Sequence, residues 1–171
     1  MLSDNELRIL RKKLEEYDGK VPHMYLDDEG NVRVGISHRL ASLDEALKVS
    51  FTNKRNLKAS AEEITADFEA IQKLAPKRIP SFYKHNLQLG LPDSEIRRLT
   101  DEAIADYHQN VSELYPSFED FPSEAKLALF DSICSMGAEN LTNWIDLNES
   151  VRAQDWQKAA LDSPRAFPIS A

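Results

Sequence analysis

The sequence predicts an α+β chain that is mostly α, on three observations: an opening amphipathic helix with its own start signal, a hairpin pattern, and helical periodicity over most of the remaining residues. Ser3-Asp4-Asn5-Glu6 reads as a capping box, in which Ser3 accepts the amide three residues on and Glu6 reaches back. Leu7, Leu10 and Leu14 come next at spacings of three and four, so they share one face, and Asp18-Gly19 ends the helix with a residue suited to positive φ. Beyond it, His23-Met24-Tyr25-Leu26 and Val32-Arg33-Val34-Gly35-Ile36 flank the polar loop Asp27-Asp28-Glu29-Gly30, which is a hairpin signal. A lone two-stranded ribbon is marginal, so it is expected to pack in a small N-terminal lobe.

Everything after Leu43 reads as helix. Ser60-Ala61-Glu62-Glu63 is a second capping box, followed by Ile64, Phe68, Ile71 and Leu74 until Pro76. Pro92 opens a helix carrying Ile96, Leu99, Ala103 and Tyr107 toward Pro116, and Pro122 opens another with Leu127, Phe130, Ile133 and Cys134, closed by Gly137. A further helix holds Leu141, Trp144, Ile145 and Leu147, and Asp155-Trp156 begins a short last one. The expected core includes Leu7, Leu10, Leu14, Phe68, Ile71, Leu99, Leu127, Phe130, Ile133 and Trp144. A single domain over 1–171 is expected, with a soft lobe boundary near residue 60: helix and hairpin over about 1–60, helices over about 61–171.

With 171 residues, 42% of them hydrophobic, the chain can bury one good core. No run of about 18 apolar residues suggests a transmembrane helix. The first residues, MLSDNELRILRKK, lack the apolar stretch of a signal peptide, so export, if it happens, would need another route. Cys134 sits in an apolar helical pattern and reads as a small buried hydrophobe; the four histidines form no HExxH pairing, so neither a metal nor a cofactor is expected. A net charge of -8 argues against a nucleic-acid partner. That charge is uneven: residues 48–100 carry 10 Lys+Arg against 6 Asp+Glu, and residues 101–171 carry 4 against 13. The central segment is the better candidate for touching an anionic polymer.

Two acids bracket the hairpin, Asp18 at the first helix end and Asp27 in the loop. Cleavage of a glycosidic bond needs such a pair, one carboxyl to protonate the leaving oxygen and one carboxylate to activate water or stabilise positive charge. In a chain with 29 acidic residues a pair alone is weak evidence. The whole stretch YDGKVPHMYLDDEGNVRVGISH, from Tyr17 to His38, is more specific. It resembles the catalytic segment of the bacteriophage-type lysozymes, including endolysins and pesticin-like toxin domains, with Asp18-Gly19, Tyr25-Leu26-Asp27, Gly30, Gly35 and His38 at the family spacing. LPDSEIRRL from Leu91 and FPSEAKLALFDSICSMGAENLTNW from Phe121 resemble later helices of that family.

The resemblance implies a lysozyme-like fold and a peptidoglycan substrate, with Asp18 at the position of the family's catalytic glutamate, Asp27 as its aspartate, Arg33 in place of a threonine and Ser135 in place of an Asn or Gln. Asp18 as general acid, Asp27 as base and Arg33 are thus the candidate catalytic residues; Tyr25, Ser37 and Ser135 are candidate substrate contacts; Glu16 is the second choice for the acid. Arg33 is expected to pair with Asp27, Asp18 or both, lowering the Asp27 pKa and filling the water site. His38 is expected to make a structural ion pair or hydrogen bond, and Trp144 and Trp156 to anchor the core. Two functions remain open at this point: a muramidase, impaired by these departures, and a non-catalytic lysozyme-like protein that binds glycan or a protein partner such as an immunity or delivery protein.

Overall fold

A computed structural model describes residues 1–163, apart from the side chains of Ser135, Met136 and Ala138. It is mostly α with a small antiparallel sheet. In chain order the elements are helix α1 (Asp4–Asp18), strands β1 (Val21–Leu26), β2 (Val32–Gly35) and β3 (His38–Arg39), then helices α2 (Leu43–Leu47), α3 (Ala61–Gln72), α4 (Pro80–Lys84), α5 (Asp93–Leu114), α6 (Ser123–Thr142), α7 (Ile145–Arg152) and α8 (Trp156–Asp162). A 3-10 turn, Phe118–Asp120, precedes α6. No helix of the described residues is long and apolar enough to cross a membrane.

Both capping boxes form. The Glu6 amide donates to Ser3 Oγ at 3.2 Å and the Ser3 amide to Glu6 Oε2 at 2.8 Å; at α3 the Ser60 and Glu63 pair does the same. Gly19, at φ +74°, ends α1 with its amide on the Glu15 carbonyl, the left-handed stop that glycine allows at no steric cost.

The chain divides into two compact units, Lys12–Glu102 and Met1–Arg11 with the described part of Ala103–Ala171. In the first, the sheet order is β1-β2-β3. Tyr25 stands opposite Arg33 and Leu26 opposite Val32, with an irregularity in β1 between Val21 and Tyr25. The expected hairpin therefore gains a third strand, since Val34 pairs with His38 and Arg33 with Arg39. Two residues are too short a strand for alternation to reveal. The core here gathers Met24, Val34, Leu40, Phe51, Phe68, Ile71, Tyr83 and Leu99. Residues 48–60 are not helical as expected: Thr52 bridges Lys58 and Gly90, and Asn53 closes a turn by accepting the Arg55 and Leu57 amides. The five-residue α4, started by Pro80, is also new, being shorter than any periodic window.

The second unit centres on Val111, Tyr115, Phe118, Leu129, Phe130, Ile133, Leu141 and Leu147, all buried. Buried Glu6 also accepts from Ser123 Oγ at 2.8 Å. At Gly137 the backbone leaves helical geometry (φ 81°, ψ 158°), and the helix resumes to Thr142. Three expected core residues, Leu7, Leu14 and Leu127, are half-buried, and so is Cys134. Trp144 is a clear correction: it is 39% exposed because it caps α7 from outside, where helical spacing no longer sets its direction. Trp156 packs edge-on against Phe121 at 5.0 Å.

Candidate active site

The unit holding the sheet also holds Asp18, Tyr25, Asp27, Arg33 and Ser37. Asp18 is the last residue of α1 and is exposed. Asp27 comes directly after β1, and its backbone closes the hairpin loop: the Asp27 amide donates to the Asn31 carbonyl at 3.0 Å and the Gly30 amide to the Asp27 carbonyl at 3.0 Å. Tyr25 and Arg33 face each other across the ladder, where opposed side chains share one face.

The Arg33 guanidinium is engaged through two of its nitrogens. Its Nε donates to Asp27 Oδ2 at 2.6 Å and its Nη1 to the Ser37 carbonyl at 2.9 Å. Ser37 presents that carbonyl from a left-handed conformation (φ 57°) in the turn before β3, a geometry that costs a non-glycine residue of order 1 kcal/mol. The expected ion pair between Arg33 and Asp27 is therefore present.

Asp27 has more partners than its pairing with Arg33. Oδ1 accepts the amides of Glu29 at 3.0 Å and Asn31 at 2.8 Å, and the Asn31 side-chain amide reaches both oxygens, at 3.2 and 3.1 Å. A carboxylate offers about four lone-pair directions, and these contacts occupy them. Burial would raise the Asp27 pKa, but the hydrogen bonds from Arg33 and Asn31 outweigh it and hold the group at about 2. Asp27 is thus an anion at any ordinary pH, with little basicity.

The Tyr25 hydroxyl shows what surrounds it through its ionisation. Burial pushes the phenol up, a hydrogen bond with the Ser37 side chain and the Arg33 charge pull it down, and Asp18 and Asp27 push it up again. Both acids therefore lie near enough to act on the ionisation of Tyr25. Glu16, the second choice, is exposed and lies 3.7 Å from Lys12 in an i,i+4 pair. His38 departs from expectation in making no ion pair or hydrogen bond among the described residues. Burial, first, holds its pKa below the usual histidine range; Glu102 and Glu45 pull it up, and Arg98 and Arg33 push it down. The Ser135 side chain lies outside the described residues. Among the described residues no group of three or more His, Cys, Asp and Glu side chains gathers as a metal ion needs.

Asn31 is the functional neighbour that the sequence pattern did not single out. Its signal was available in principle, an Asx residue four positions after Asp27 in a glycine-containing loop.

No family model matches the chain. It is similar to a protein of Dictyostelium discoideum named "Probable T4-type lysozyme 2", at 23% identity over 154 residues, covering 90% of this chain and 80% of that protein. Together with the mostly helical α+β architecture, that likeness supports a lysozyme-like family for this chain.

Proposed function

We propose that this protein is a peptidoglycan-directed glycoside hydrolase, a muramidase acting on the β-1,4 bond between N-acetylmuramic acid and N-acetylglucosamine. The observation that carries the reading is an Asp27 anion fixed by Arg33 on the hairpin face that bears Tyr25, with Asp18 near enough to act on the ionisation of that tyrosine. The relative named as a lysozyme supports the same reaction class.

In this reading Asp18, on the exposed helix end, donates the proton to the leaving oxygen. Asp27 acts as a fixed negative charge beside the oxocarbenium-like centre; its low pKa and saturated oxygens suit electrostatic stabilisation better than proton abstraction, so the water that adds to that carbon gives its proton to the Asp18 carboxylate and restores the acid. Tyr25 and Ser37 supply hydroxyls for sugar contacts, and Ser135 is a further candidate contact. Arg33 holds Asp27 still but fills the space where an attacking water would be activated, so turnover is slow. A second reading, a lysozyme-like protein that binds glycan or a protein partner without cleaving, is favoured by that saturation of Asp27.

The test compares native protein, Asp18→Glu, Arg33→Thr and the double variant at equal folded concentration, scoring new reducing ends on purified peptidoglycan as muramic acid. The double variant is expected to exceed native hydrolysis by about 100-fold, the scale of a 1 Å repositioning, and each single change to give much less. A native rate that the double variant fails to improve would mean that Arg33 belongs to a working mechanism. Four silent proteins that still bind glycan would establish the second reading.

A further inference from the structure

Two lysines of the basic segment, Lys54 and Lys84, line a cavity of about 700 Å³ in the sheet-bearing unit. Pro22 and His23 of β1, the turn residues Thr52, Asn53 and Asn56, then His85 and the stretch from Leu87 to Pro92 complete its walls. Backbone pairing fixes these walls: the Leu91 amide donates to the Pro22 carbonyl at 2.8 Å, and Thr52 and Gly90 exchange hydrogen bonds at 2.9 and 2.8 Å. From behind, buried Asp67 accepts the amides of Gln88 and Leu89 at 2.9 to 3.1 Å.

Among the described residues no acid lines the cavity, whereas Lys54, Lys84 and His85 do. Lys54 and Lys84 are exposed and make no ion pair among the described residues, although Lys54 lies close enough to Asp67 to act on its ionisation. Asp93, beside the lining residue Pro92, is paired with Lys20 at 3.0 Å, so its charge is already answered. Leu87, Leu89 and Leu91 are buried in the wall and give the cavity an apolar side.

His23 adds an opposite demand. It is 7% exposed, and its Nδ1 bonds the Met24 carbonyl at 2.8 Å. A carbonyl only accepts, so Nδ1 carries the proton, and the neutral ring keeps a lone pair on Nε2, which has no hydrogen-bond partner among the described residues. Nε2 is not shut off from solvent, so it is open to a ligand, and one that fits this cavity brings both an anion for the lysines and an N–H or O–H for His23. Sulfate brings only the first; hydrogen phosphate brings both but has no apolar part to set against the leucine wall.

We propose that this cavity binds the carboxylate-bearing peptide stem of peptidoglycan, with Lys54 and Lys84 on the carboxylates and His23 accepting from a peptide N–H. The volume falls within the range of small-molecule sites, about 300 to 1,000 Å³, and takes a short peptide. This inference rests on the peptidoglycan reading and extends it from the glycan to its peptide.

The probe is an N-acetylglucosaminyl-N-acetylmuramyl peptide, which lacks the bond a muramidase cuts, titrated calorimetrically into the full chain. Its arms are the free-carboxylate form, the same fragment with its carboxylates amidated, and inorganic phosphate. The free-carboxylate fragment should bind at least 10-fold tighter than the amidated one and than phosphate. The double variant Lys54→Gln/Lys84→Gln should lose that preference, while Lys48→Gln/Lys73→Gln, equal in net charge and outside the cavity, should keep it. Equal affinity for the two fragments, phosphate matching the free-carboxylate form, or equal losses in both lysine variants would each overturn the proposal. Selective binding alongside absent hydrolysis would sink the muramidase reading and leave the site standing; hydrolysis with no carboxylate preference would do the reverse.

Discussion

At the scale of single residues, Asp27 shows how a polar network decides what a carboxylate is for. Five donor contacts converge on its two oxygens, from Arg33, Glu29 and Asn31, and they fix the hairpin loop as firmly as they fix the charge. Asn31→Ala removes the two side-chain contacts and keeps the amide and Arg33. The Asp27 pKa should then rise from about 2 toward the ordinary carboxylate value of 3.8, by roughly half a unit to one unit, as read from its carboxyl chemical shift against pH. No movement on that substitution would assign the whole depression to Arg33 and the backbone. Arg33 and Asp27 were legible together through the resemblance, whose register sets the residue at position 33 facing the aspartate. Asn31 was not, because a short polar loop offers many equivalent Asx turns and only coordinates choose among them.

At the scale of elements, the features legible in the sequence were those encoded within four residues. Capping boxes, the glycine stop at Gly19 and helix starts after Pro92 and Pro122 are local geometry, and they fall where the spacing puts them. What depended on distant partners was hidden: β3, the bridges of Thr52, and the exposure of Trp144 beyond the end of a helical pattern. Of the candidate site the acids and Arg33 were readable, while the cavity was visible only as a basic bias, since Lys54 and Lys84 stand thirty positions apart and meet through folding. The two capping boxes should not be equal in weight. Glu6 is buried and holds the Ser3 amide and the Ser123 hydroxyl at once, whereas Ser60 is exposed. Glu6→Ala is expected to cost about 2 to 4 kcal/mol, leaving two donors short of a partner, against about 1 kcal/mol for Ser60→Ala, measured by urea denaturation. Equal costs would mean that burial adds nothing to the first cap.

At the scale of the whole molecule, the depressed carboxylates set the response to acid. Glu6, Asp27, Glu95 and Glu119 all have folded-state pKa values below their ordinary ones: at Glu95 chiefly through Arg98 and at Glu119 through the N-terminus, while at Glu6 and Asp27 burial is overcome by hydrogen bonds. Their contribution is complete above the ordinary carboxylate range and is lost as pH falls through the depressed values; Asp27, 20% open to water at its side chain, accounts for about 1 to 2 kcal/mol of it. Asp67 works the other way: burial raises its pKa, so its contribution is full below the ordinary range and fades as pH rises. Four against one, the denaturation midpoint should fall between pH 7 and about pH 3. A midpoint that holds or climbs over that interval would show that Asp67 dominates.

β1 ties two distant places together. Its first residues, Pro22 and His23, form a wall of the cavity, and its last lead directly into Asp27, so the two places lie at opposite ends of a six-residue strand. A strand paired to a neighbour does not slide at one end alone, because a shift of one residue would turn every side chain to the other face. Occupancy of the cavity and placement of the Asp27 charge therefore share one strand, with the irregularity between Val21 and Tyr25 as the place where it can yield. Whatever free energy links them runs equally in both directions: a ligand that steadied Asp27 from the cavity would itself be held more tightly by whatever binds beside Asp27.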